Sequence, residues 1–205
     1  MKTFSHYAYI VPSNAGVQIV DLTYLPDSIR YLGAYAPPGF TSSHTISQSG
    51  PYLYLNGGNS GFGNGIAILD LTANPEHPIL RGKWNELYVH DSRIVNDTIW
   101  AANINNGKVS VINAINKDNP VTITSWVNGQ EPWPHNCALT PGRKYIFVTD
   151  EIFGGISAKL KIWNIQNLSD IILEGLWRPQ TFFQNSVIHN VELYEKQLVC
   201  AYYTA

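Results

Sequence analysis

Four of the six histidines in this chain of 205 residues recur in one local setting, at intervals of 46, 45 and 54 residues. They stand in Ser43-His44-Thr45-Ile46, Val89-His90-Asp91-Ser92, Pro134-His135-Asn136-Cys137 and Ile188-His189-Asn190-Val191. Imidazole is the commonest protein ligand for a transition metal and changes charge near neutral pH. Asp91, Asn136 and Asn190 directly follow three of these histidines, and Asp150 and Glu151 close a later apolar run. If the histidines converge on one axis, His44, His90, His135 and His189 are candidate ligands for a divalent metal ion. Asp91, Asp150, Glu151, Asn136 and Asn190 are then candidate contacts to a polar ligand. Trp133, in Glu131-Pro-Trp-Pro-His135, either stacks on that ligand or packs between neighbouring elements.

The same regularity has a structural reading. A residue repeated in every unit is what a hydrogen-bonding device of the repeat would look like, so the irregular carboxylates Asp91 and Glu151 carry more of the functional case than the histidines do. Asp150 stands beside Glu151 at the end of a second strand, on the same expected channel face.

The elements that hold these residues repeat in step. Ile19-Val-Asp-Leu22, Ile68-Leu-Asp-Leu71, Val111-Ile-Asn-Ala114 and Ile162-Trp-Asn-Ile165 align, with their Asx positions 49, 43 and 51 residues apart. Each is preceded by an aromatic-rich strand (Tyr7-Ala-Tyr-Ile-Val11, Tyr52-Leu-Tyr-Leu55, Thr98-Ile-Trp-Ala-Ala102, Lys144-Tyr-Ile-Phe-Val148). Each is followed by a strand ending at Tyr35, Trp84, Trp126 or Trp177, aromatics expected to pack blade against blade. With the histidine strand in front, four short strands per unit at this period indicate β-propeller blades. Turn signals at Asn14-Ala-Gly16, Asn56-Gly-Gly58, Asn105-Asn-Gly107 and Gly154-Gly155 separate second from third strands. The Asx residues Asp21, Asp70, Asn113 and Asn164 resemble catalytic acids only in recurring, because turns with Pro26, Pro75 or Pro120 follow three of them and predict Asx turns.

The expected fold is all-β, a single β-propeller domain over 1–205 with four near-complete four-stranded blades and half of a fifth, at approximately 1–36, 43–85, 89–127, 134–178 and 188–205. The spacing of eight residues from His44 to Tyr52, counted back from Tyr7, falls just before Met1, so the first inner strand is expected to be cut short. The chain is therefore read as a fragment truncated at both ends, the alternative being a closed four-bladed ring in which the last inner strand completes the first blade. In a propeller the inner strands line a central channel, which places the four histidines at one mouth of it.

Val17-Gln-Ile-Val-Asp-Leu22 and Ile66-Ala-Ile-Leu-Asp-Leu71 resemble the LVIVD repeat, a propeller repeat of bacteria and archaea. Lys2-Thr-Phe4, Tyr88-Val-His-Asp91, and Thr149-Asp-Glu151 ahead of Lys161-Ile-Trp-Asn164 are similar to the choice-of-anchor B family of surface proteins. The resemblance covers essentially the whole chain and implies a secreted or cell-surface protein whose signal peptide and anchor lie outside these residues. It implies no reaction.

A net charge of −2 and the lack of any Lys/Arg cluster argue against a nucleic-acid partner. No apolar stretch reaches membrane-spanning length. Cys137 and Cys200, each inside an apolar run, read as buried thiols rather than a disulfide. No nucleophile elbow, phosphate loop, zinc-finger spacing or HExxH pattern occurs. The leading expectation is a non-catalytic binding module for a protein, small-molecule or glycan ligand at the channel face. The alternative is a metal-dependent enzyme or redox protein that uses His90, Asp91, His135, Asp150 and Glu151.

Overall fold

The computed structural model describes residues 1–12, 15–59, 61–152, 159–179 and 186–204. The expected turn residues Asn14 and Gly154-Gly155 lie outside them. Among the described residues, four antiparallel sheets of four strands follow one another along the chain, and a two-stranded hairpin comes last. The first holds β1 (Lys2–Phe4), β2 (Tyr7–Ile10), β3 (Val17–Asp21) and β4 (Arg30–Tyr35). The second holds β5 (Thr45–Ser49), β6 (Tyr52–Asn56), β7 (Ile66–Asp70) and β8 (Ile79–Trp84). The third is β9 (Asp91–Val95), β10 (Thr98–Asn103), β11 (Lys108–Asn113) and β12 (Val121–Val127). The fourth is β13 (Pro134–Leu139), β14 (Tyr145–Asp150), β15 (Leu160–Asn164) and β16 (Ile172–Trp177), and β17 (Ser186–Tyr194) pairs with β18 (Gln197–Thr204). The first blade has its inner strand, β1, at three residues against five in β5.

Burial follows strand position. Second and third strands are close to continuously apolar and buried, as in β6 and β7, because both of their faces are covered. Outer strands alternate or lie open, as in β12 and β16. Trp84 at the end of β8 is buried, and Trp126 packs edge-on to Trp163 at 5.9 Å. Trp177 departs from the expected interblade packing, since 45% of it faces solvent at the rim of β16.

The four repeated Asx residues are turn formers. Asp21 accepts the Thr23 N–H at 2.9 Å, Asp70 that of Thr72 at 2.8 Å, Asn113 that of Ile115 at 3.0 Å and Asn164 that of Gln166 at 3.2 Å. Each side-chain oxygen replaces a backbone acceptor where the chain leaves the third strand. Arg30 adds a 3.0 Å ion pair to Asp21, and Arg81 joins Asp70 to Asp118 at 2.8 and 2.7 Å. A bulge recurs just before these turns, between Ile19/Val20, Ala67/Leu69 and Ile162/Trp163. Gly82 in β8 is tightly placed, because a Cβ there would lie 2.5 Å from the Lys117 and Asp118 carbonyl oxygens.

The contacts divide the chain into two compact units, Met1–Thr98 with Asn113–Val121, and Ile99–Ile112 with Thr122–Ala205. In the first, Tyr9, Val17, Leu53, Leu55, Leu69 and Leu71 form a core, closed by Phe40 against Phe62, edge to face at 5.2 Å. In the second, one cluster gathers around Trp100, Val111, Ile146, Val148 and Trp163, and another around Ala138, Leu160, Ile188 and Val191. In the first unit β5 lies beside β9, and in the second β13 lies beside β17, so inner strands of successive blades are neighbours. Neither Cys137 nor Cys200 is in a disulfide, and Cys137 is buried and Cys200 partly so.

Candidate functional site

Each unit brings two of the repeated histidines ring to ring, and each does so with a hydroxyl. In the first unit, the Thr45 hydroxyl donates to the His90 carbonyl at 2.9 Å. The Ser43 hydroxyl and the His44 N–H both reach the Asn56 carbonyl, at 2.9 and 2.8 Å, so the start of the inner strand is pinned to the end of the second. The rings of His44 and His90 then stand 4.0 Å apart at 51°. Gly57, at φ +63°, permits this crossing, because a Cβ there would meet the Val89 carbonyl at 2.8 Å and His44 at 3.0 Å. Asn56 is buried between the strands, with its amide donating to Thr45 and Ser47 at 3.0 Å and its carbonyl accepting from Ser92 at 2.9 Å. Asp91 takes the Ser92 N–H at 2.8 Å and lies 3.3 Å from the Thr45 hydroxyl. This carboxylate caps the β9 start.

In the second unit, the Thr149 hydroxyl donates to the His189 carbonyl at 2.6 Å, and the Asn136 side-chain carbonyl accepts the Val191 N–H at 3.0 Å. The rings of His135 and His189 are 3.9 Å apart at 41°. Here a carboxylate faces both. His135 Nε2 is 3.5 Å from Glu151 Oε2, and His189 Nε2 is 3.9 Å from Glu151 Oε1. The Tyr203 hydroxyl donates to Glu151 Oε1, and burial together with that carboxylate pushes the phenol up to about 12. His135 Nδ1 lies 3.2 Å from the His189 carbonyl, which can only accept, so Nδ1 carries the hydrogen and the lone pair falls on Nε2. Asn190 is exposed beside His189.

Asp150, a candidate ligand contact, is fully buried and lies 2.7 Å from the Lys161 ammonium. Its other oxygen accepts from the Asn128 amide at 2.9 Å and the Trp133 N–H at 2.8 Å, and Trp163 Nε1 donates to Asn128 at 2.8 Å. Burial raises the Asp150 carboxyl, with Lys161 opposing. Such a satisfied buried pair is scaffolding. It fixes the backbone at Trp133, and the Glu151 N–H donates to the Trp133 carbonyl at 3.0 Å. The indole of Trp133 stays 46% exposed and, with Ile104, Ile152 and Glu151, lines a cleft of about 380 Å³.

Lys161, Asn128, Thr149 and Tyr203 went unmarked in the sequence. A lone lysine inside the apolar run Leu160-Lys-Ile-Trp163 was the available signal, since a charge there must be paired.

No family model matches the chain, and no curated protein matches it. Solved structures do. A protein from Lactobacillus plantarum superposes with a TM-score of 0.73 at 12% identity, over 97% of this chain and 62% of its own length. A candidate 6-phosphogluconolactonase from Bacteroides fragilis gives 0.62 at 12% identity, over 90% of this chain and 57% of that one. One from Bacteroides uniformis gives 0.61 at 14%, over 92% and 58%. The chain thus spans about three fifths of the length of these neighbours. At such identities the likeness shows the fold alone: all-β and propeller-like, built of four-stranded blades.

Proposed function

We propose that the chain is a non-catalytic binding module whose second unit holds a small polar ligand with one flat face, such as a pyranose, in the Trp133 cleft. The observation that carries this reading is the half-open indole of Trp133 above a cleft edged by the Glu151 carboxylate. An aromatic face held rigid by two flanking prolines loses little entropy on stacking, and a carboxylate supplies hydrogen-bond acceptors for hydroxyls. Placement at the cell surface, and membership of the LVIVD-repeat or choice-of-anchor B proteins, belong to the same proposal and are supported by the resemblance of the third-strand motifs. No helix among the described residues is long and apolar enough to cross a membrane.

The test is a fluorescence titration of the chain with a panel of mono- and oligosaccharides, with Trp133→Ala as the blank. A saturable emission change present in the parent and lost in the variant is expected. The absence of any Trp133-dependent change overturns the ligand reading, and turnover on a hydrolase substrate panel overturns the non-catalytic one.

A further inference from the structure

Gly175 in β16 has no steric reason of its own. A Cβ there would meet only Ile162 Cδ1, at an ordinary 3.9 Å, and its φ lies outside the left-handed region. Glycine weakens a strand interior and there often marks the close approach of another backbone. Its counterpart in the second blade shows which backbone. β8 (Ile79-Leu-Arg-Gly-Lys-Trp84) and β16 (Ile172-Leu-Glu-Gly-Leu-Trp177) share one pattern, and Trp84 and Trp177 each pair with the first residue of the third strand, Ile66 and Leu160. Over Gly82 lie the Lys117 and Asp118 carbonyl oxygens, 2.5 Å from where a Cβ would stand, so the third-to-fourth connection of the next blade fills that face. Trp84 is 3% exposed there, against 45% for Trp177. The first blade is covered likewise, its Tyr7 and Tyr9 hydroxyls donating to Glu76 and to the Pro75 carbonyl of the second blade's connection, both at 2.9 Å. Around Gly175 no such connection lies among the described residues, and Ile172 stays 50% exposed. β18 likewise has no strand on its outer edge among the described residues, where β6, β10 and β14 each pair with a third strand. The two surfaces adjoin, because Phe147, opposite Ile162 on β14, packs into the same cluster as Leu198, Cys200 and Tyr202 of β18.

We propose that the uncovered face of the fourth blade and the free edge of β18 dock a β-hairpin of a partner protein whose turn carries a lysine or arginine. The hairpin's first strand adds to β18, as in strand addition to other open sheet edges, and its turn lays backbone carbonyls over Gly175 beside Trp177. Charge selects the partner. In the second blade Arg81 bridges Asp70 of its own third strand, at 2.8 Å, and Asp118 of the docked connection, at 2.7 and 2.9 Å. The fourth blade has the opposite polarity at this position, where Glu174 is exposed and accepts from the Asn164 amide at 2.8 Å. A turn seated there meets a carboxylate in place of a guanidinium, and a cation on it is favoured. The chain's own third-to-fourth connections carry Asp27, Glu76, Asp118 and Asp170, so a second copy would bring like charge to Glu174.

The experiment titrates the whole chain into a fluorescently labelled peptide, read by anisotropy. The peptide is residues 107–127 of this sequence, the third strand, connection and outer strand that cover the second blade's face, bearing Asp118→Lys. The unsubstituted peptide is run alongside. Saturable one-to-one binding is expected, weaker by about threefold or more for the unsubstituted peptide at low salt, with the preference reversed by Glu174→Lys in the chain. Gly175→Ala should weaken binding by about tenfold or more, because the added Cβ collides with the seated turn, and should leave the chain's own melting temperature undiminished. Gly82→Ala, which makes the same collision inside the chain, should lower the melting temperature. Lack of saturable binding to the parent chain, or full affinity in the Gly175→Ala chain, overturns the proposal. A Glu174→Lys chain that keeps the parent's preference overturns the basic turn. Self-association of the parent in sedimentation that Gly175→Ala abolishes puts a second copy on this face and overturns the partner.

Discussion

The two histidine pairs are built alike and equipped differently. Both are drawn together by a threonine hydroxyl on the carbonyl of the later histidine, at 2.9 Å for His90 and 2.6 Å for His189, and both stack at close to 4 Å. Beside His44 and His90 the nearby carboxylate, Asp91, spends one oxygen on the Ser92 amide and lies beside the Thr45 hydroxyl. Beside His135 and His189, Glu151 presents both oxygens to imidazole nitrogens. The pairing is therefore a property of the repeat, whereas a glutamate near both rings is seen at the His135–His189 pair. What separates them is one side-chain length. Asp91 is short and sits after its histidine, so it folds back on its own backbone, while Glu151 reaches across from the end of β14.

The largest test of this contrast removes the scaffold of the second unit alone. Lys161→Met leaves Asp150 buried without its cation and should destabilise the chain by about 3–5 kcal/mol in denaturant unfolding, because an uncompensated buried charge is costly. The matching change in the first unit is milder. Asn56→Ala strips partners from the Thr45, Ser47 and Ser92 hydroxyls, all neutral, and should cost about 1–3 kcal/mol. If the two losses prove equal, the units are not as differently built as their charges indicate.

Trp133→Ala sharpens the contrast from the other side. With the indole half in solvent, the change should stay within about 0.5 kcal/mol of parent stability while abolishing the saccharide-dependent emission change. Acid should act on the turns of the first unit. Thr23 holds Asp21 below the usual carboxylate range, and the Thr72 bonds with Arg81 outweigh burial to do the same for Asp70. A depressed folded value means that stabilisation is complete above the ordinary carboxylate pKa and is lost as pH falls through the lower folded one. A melting temperature flat near neutrality and declining below about pH 4, less steeply in Asp70→Asn, is the expected result.

Repeat period, strand order, blade type and the Asx turns were legible in the residues because they are local. Alternation, turn chemistry and a fixed offset between Asp21 and Thr23 or Asp70 and Thr72 act within a few positions of one another. The burial of Asp150 was not legible, for the opposite reason. Its partner Lys161 lies on the neighbouring strand and its other donors, Asn128 and Trp133, come from the preceding connection, so nothing adjacent announces that this strand end is buried. Trp177, at the end of the open outer strand β16, is 45% exposed, whereas Trp84 at the equivalent end of β8 is buried.

The histidine repeat was determined by sequence alone, as were its four-strand setting and the recurrence of its rings in phase, because a blade specifies itself through short-range pattern. Only the tertiary structure decided which carboxylate meets those rings. Asp150 is the last residue of β14 and Glu151 the residue after it. Asp150 meets Lys161 in the interior and Glu151 meets His135 and His189, and the side each one takes is set by how β13, β14, β15 and β17 pack.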